Sequence, residues 1–143
     1  MSGVTRFPPD LGVQAFQARA FRDEKDLAPE RWRRVRTWRR GQRLAIAAEL
    51  PYASLPFCDL LLDRAFEAAP RSLFEARELA SLAAELAAQL TGRGCPPPLA
   101  RNCRARTALA RAYLALAAGE VAEASSFLVL ARSLAGEGSG DAQ

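Results

Sequence analysis

Histidine is missing from all 143 residues, and with it go the commonest general base, the side chain that titrates near neutral pH and the commonest metal ligand. Lysine is nearly missing as well: Lys25 is the single Lys among 20 basic residues. The three cysteines, Cys58, Cys95 and Cys103, are odd in number and form no CxxC pair, which argues against both a disulfide framework and a zinc site. No stretch approaches 18 consecutive apolar residues, and the opening MSGVTRFPPD lacks the apolar centre of a secretory signal. A soluble cytoplasmic chain with no membrane span is therefore expected. Ile and Val are few against 30 Ala and 20 Leu, a balance that favours helix over strand. Nothing remaining assembles a catalytic, cofactor-binding or metal-ligating set, so the expected function is non-enzymatic and no cofactor is implied.

What is present is a chain punctuated by Pro and Gly into about six helical segments. After Pro8-Pro9, Asp10 is a candidate N-cap for a helix to about Leu27, and Pro29 can open a second to about Leu50. Ser54 caps a third, about 55–69, and Pro70 separates it from a fourth, about 71–90. The stretch TGRGCPPP, residues 91–98, reads as a loop, placing Cys95 in a flexible segment; helices at about 99–118 and 120–135 follow, divided by Gly119. The Gly136-Glu-Gly138-Ser-Gly140 run has neither the strand nor the helix of a phosphate loop, and residues 136–143 read as a disordered tail. Residues 1–135 then form one helical domain: basic N-terminal helices over about 10–50, a hairpin over 55–90 and a second over 99–135.

The two hairpins are alike. Ala76, Ala80, Ala83 and Ala87 fall on one helix face, and Leu79, Leu82, Leu86 and Leu90 on the adjacent one. Forty-eight residues later Ala124, Leu128, Ala131 and Ala135 repeat the first stripe, and Phe127, Leu130 and Leu134 the second. Residues 71–87 and 119–135 share six identities, and Leu61/Leu109 and Ala69/Ala117 keep the same offset.

Gly119-x4-Ala124-x3-Leu128-x2-Ala131 resembles the second half of a tetratricopeptide (TPR) repeat, and Ala76-x3-Ala80-x2-Ala83 is similar, with Arg71 in place of the turn Gly. The departures are a period of 48 instead of 34, Ala108 and Arg111 where the repeat carries Trp and Leu, and no closing Pro. More broadly, residues 57–90 resemble a group of bacterial TPR-like proteins without assigned function, a likeness that covers about 31–135. The resemblance implies an all-α, short TPR-like solenoid of stacked antiparallel hairpins, with small residues at Ala76, Ala80, Ala83, Ala124 and Ala131 letting helices approach closely and Leu128 packing beside them. It also implies a protein-binding role: a non-enzymatic adaptor, scaffold or assembly subunit of a larger complex. A stack this short leaves apolar surface at its ends, so a homo-oligomer or residence in a complex would cover it.

The basicity is concentrated at the N-terminal end: residues 1–50 hold 11 basic and 6 acidic side chains, residues 51–143 hold 9 and 10. RWRRVRTWRRGQR, 31–43, has seven Arg and no acid. On a helix Arg33, Arg36, Arg40 and Arg43 line one face, while Trp32, Val35 and Trp38 fall on another. Such a stripe is a solvated face above a Trp stripe packed on the first hairpin, or a site for an acidic protein groove or for phosphates. The alternative function is thus a small basic accessory protein contacting nucleic acid through residues 31–43, although no known nucleic-acid reader motif accompanies them.

Overall fold

A computed structural model describes residues 25–37 and 54–140, and its regular structure is entirely helical. Helix α1 covers 25–35, α2 Leu55–Ala68, α3 Leu73–Ala88, α4 Pro97–Ala117 and α5 Val121–Gly140, with a 3-10 turn at Thr91–Arg93. The described residues thus hold five helices where about six were expected along the whole chain; most of the expected 10–27 segment lies outside them.

Local chemistry sets the boundaries. Ser54 Oγ accepts from the Phe57 N–H at 3.3 Å and Ser72 Oγ from the Glu75 N–H at 3.2 Å, capping α2 and α3. Ser72 and Glu75 have the spacing of a capping box. Pro97 opens α4 at a position where its missing N–H costs nothing. Gly119, at φ 79°, ends that helix: its N–H donates to the Leu116 carbonyl and the Glu120 N–H to the Ala115 carbonyl, both at 2.9 Å, which is a Schellman closure. Gly94, at φ 85°, makes the corresponding turn before α4.

Three boundaries differ from the sequence expectation. Helix α1 runs through Pro29. The proline forfeits only the bond to the Lys25 carbonyl, while Ala28, Trp32 and Val35, spaced four and three apart, share the face that meets the core. The same helix closes at Val35 instead of reaching Leu50, because the Thr37 N–H and Oγ1 both donate to the Arg34 carbonyl, at 3.2 and 2.7 Å. At the other end, α5 continues to Gly140 where a disordered tail was expected from 136. No proline interrupts it, and extending an existing helix over Gly costs about 1 kcal/mol per residue without a new nucleation step.

Consecutive helices are neighbours: α2 packs on α3, α3 on α4 and α4 on α5, with a smaller contact between α2 and α4. Short connections set each pair antiparallel. Phe57, Leu61, Leu79, Leu82, Leu86, Leu90 and Leu114 are the large side chains at the centre, and Trp32 packs against the same cluster from α1. No described helix is long and apolar enough to cross a membrane.

Candidate functional site

Small residues hold the helices close. Ala76, Ala80 and Ala83 are fully buried on α3, and Ala124 and Ala131 nearly so on α5. Leu128, on the same α5 stripe, is instead 52% exposed. It faces the same hollow as Leu109, Tyr113 and Leu116 of α4.

Leu128 belongs to a larger uncovered surface. Phe66 on α2, Leu109, Tyr113 and Leu116 on α4, and Val121 on α5 are all exposed. The rings of Phe66 and Tyr113 meet edge to face, their centroids 5.7 Å apart at 68°, which fixes both side chains at the α2/α4 seam. Two hollows share Leu109 and Tyr113. One, about 470 Å³, lies between α2 and α4 with Leu62 and Phe66 on its far wall and Arg106 at its rim. The other, about 510 Å³, runs between α4 and α5, lined also by Leu116, Val121 and Leu128 over a floor of Ala112, Ala124 and Ser125.

Ion pairs lock the helices that frame these hollows. Arg106 Nη1 on α4 lies 2.9 Å from Asp59 Oδ1 on α2, yet burial outweighs the pairing and pushes the Asp59 carboxyl pKa up. Arg77 on α3 reaches the start of α5, donating to both carboxylate oxygens of Glu120 at 3.1 and 2.9 Å and to Glu123 Oε2 at 2.6 Å. This bidentate bond, with a further hydrogen bond from Glu123, holds the Glu120 carboxyl down to about 2. Arg111 lies half-buried with its guanidinium carbon 4.4 Å from the Phe127 ring centroid, and burial lowers its pKa.

Comparison of the chain with protein-family models, with curated proteins and with solved structures gave no match in any of the three.

Of the Arg stripe, Arg33 is exposed on α1 and Arg36 sits in the turn beyond its end; Arg40 and Arg43 lie outside the described residues. Trp32, the aromatic partner of the stripe, packs against the core with the Arg64 guanidinium carbon 6.0 Å from its ring centroid. Cys58 and Cys103 are both fully buried. The Cys58 thiol faces the Ala83 carbonyl at 3.8 Å, and a hydrogen bond shared with Cys103, together with burial, raises its pKa well above the ordinary value. Cys95 is half-buried against the core cluster, in a turn held by its own N–H bonding the Leu90 carbonyl at 3.0 Å, and not in the open loop expected from the sequence. Among the described residues no group of three or more Cys, Asp or Glu side chains could hold a metal ion.

Apolar surface at the ends of a short stack is expected from the sequence, but Phe66, Leu109, Tyr113 and Leu116 are not marked there as its members. A signal for it exists. Phe127, Leu128, Val129 and Leu130 are consecutive, and four consecutive positions span the whole circumference of a helix, so a helix flanked on one side only must expose some of them.

Proposed function

We propose that the protein is a non-enzymatic, TPR-like adaptor that binds a segment of another protein in the hollow between α2 and α4. The observation that carries this reading is the exposed aromatic pair Phe66 and Tyr113 standing beside Leu109 over an apolar hollow of about 470 Å³. Soluble domains seldom leave contiguous apolar surface of several hundred Å² uncovered unless it is used. The helix order supports a stack of two hairpins, α2 with α3 and α4 with α5, with α1 as an added layer on the first. Arg106, the charged residue lining this hollow, supplies a polar edge that would orient a bound segment without dominating its affinity. A role as a complex subunit follows from the same surface.

A photo-crosslinking residue placed at Phe66 tests the reading in cells of the native host. A discrete protein adduct that resists nuclease treatment, and that disappears when Leu62, one turn earlier on the same wall, is changed to Glu, is the expected result. Crosslinks only to nucleic acid, or capture abolished by nuclease, would instead support the basic accessory protein acting through residues 31–43.

A further inference from the structure

We propose that the groove between α4 and α5 is the interface of a two-fold homodimer. The internal repeat shows what such a groove receives. Subtracting 48 from Leu109, Tyr113, Leu116, Ala124 and Leu128 gives Leu61, Ala65, Ala68, Ala76 and Ala80 of the first hairpin, and all five of those are buried. Helix α4 packs against both helices that carry them. The second hairpin presents the corresponding surface with nothing described upon it, and with larger side chains: Tyr for Ala65, Leu for Ala68 and Leu for Ala80. Helices are therefore the natural occupants of this groove.

Three observations select a second copy of this chain. First, the surface is self-complementary: Tyr113, Leu116 and Leu128 stand as ridges, while Ala112, Ala124 and Ser125 form the hollow between them, so the ridges of one copy fit the hollow of another turned by a half rotation. None of the side chains lining the groove is charged, so no like charges confront each other across the two-fold axis. Second, the area suffices. Leu109, Tyr113, Leu116, Val121 and Leu128 are each at least half exposed and together offer roughly 500 Å², so two copies with their flanking residues bury more than about 1,000 Å², the lower bound for a specific interface. Third, the ends of the stack differ. The first hairpin has α1 laid against it, with Ala28 and Val35 buried and Trp32 beside Arg64, whereas the α4/α5 end is open among the described residues. A head-to-tail chain of copies would need two open ends; a closed pair needs one.

This inference goes beyond the adaptor reading; the two surfaces share Leu109 and Tyr113, but Leu116 and Leu128 line only the α4/α5 groove and Leu62 and Phe66 only the α2/α4 hollow, so variants at those positions test the two readings separately. Sedimentation equilibrium of the full chain from about 1 to about 100 µM tests it. The wild type is expected to be a dimer over most of that range. The double variant Leu116→Glu, Leu128→Glu is expected to dissociate on the order of 100-fold more readily. Val129→Glu, at the most exposed apolar position of α5 and outside the groove lining, is the control and is expected to dimerise like the wild type. Circular dichroism checks that the variants remain helical, and if the double variant unfolds, Ser125→Arg, an exposed position in the floor of the groove, takes its place. A wild type monomeric at 100 µM, assemblies larger than a dimer, a groove variant that still dimerises, or a Val129→Glu variant that dissociates as readily would each overturn the proposal.

Discussion

Enlarging a buried alanine should be costly or harmless according to the space beside it, and this protein offers both cases. Ala83 is fully buried on α3, and its carbonyl oxygen lies 3.8 Å from the Cys58 sulfur on α2. Replacing it with Leu inserts three carbons where two helices already touch, which forces a shift of α2 or an off-rotamer side chain and costs about 1–3 kcal/mol. For a domain of this size, 2 kcal/mol corresponds to a fall in Tm of about 5–10 °C. Ala131→Leu, between α5 and α4, should behave alike. Ala108 is equally buried, but it lines a cavity of about 200 Å³ between α3, α4 and α5, with Thr107 and Arg111 as neighbours. Three carbons fully buried there would contribute about 2 kcal/mol at 0.8 kcal/mol per methylene, and since the cavity opens to solvent on one side about half of that is expected. Ala108→Leu should therefore melt at or a few degrees above the wild type. Thermal melts followed by circular dichroism at 222 nm, on the three single variants, decide the matter. If Ala83→Leu and Ala131→Leu melt with the wild type while Ala108→Leu collapses, the helix register described above is wrong.

The remaining expectations concern charge and thiols. The Glu120 carboxyl is held down to about 2 from 4.5, so the stability it confers is present above pH 4.5 and drains away as pH falls toward 2. Chemical denaturation between pH 5 and pH 2 should show the wild type losing stability more steeply than Glu120→Gln, and parallel slopes would refute the Arg77 clamp as its source. Burial raises the Cys95 thiol pKa and encloses Cys58 and Cys103, so a thiol reagent at neutral pH should label Cys95 slowly and first, and the other two only on unfolding. Three rapidly reacting thiols in the native protein would contradict the packing of the core. Arg33→Glu with Arg34→Glu, both exposed on α1, should alter stability by less than about 0.5 kcal/mol, and a larger loss in the melt would mean that these guanidinium groups are structural.

The helical class and the hairpin turns were legible in the sequence because they depend on local chemistry. Pro70, Gly94 and Gly119 interrupt the chain wherever they stand, and Ser54 caps in any context. At the N-terminal end tertiary packing overrides local chemistry. Pro29 is a helix start by local rules, but Ala28, Trp32 and Val35 gain more from sharing one core-facing stripe than the helix loses at a single missing bond. Leu128 shows the other limit. Its place in the repeat pattern marks a position that packs in a longer array, and only the three-dimensional count of hairpins shows that nothing described covers it. Arg111, out of place in the repeat pattern, is accommodated by lying on Phe127, a pairing across two helices that periodicity along one of them does not reveal.

Helix α5 meets α4 broadly and the other described helices only marginally, apart from the grip of Arg77 on its first turn. Its amide hydrogens should exchange with solvent through a local opening that leaves α2 and α3 closed, whereas those of α3, enclosed between α2 and α4, exchange only when the whole domain unfolds. A chain synthesised from its N-terminus completes α1, α2 and α3 before α5 has left the ribosome, so the helix that opens locally is one added to a core already formed.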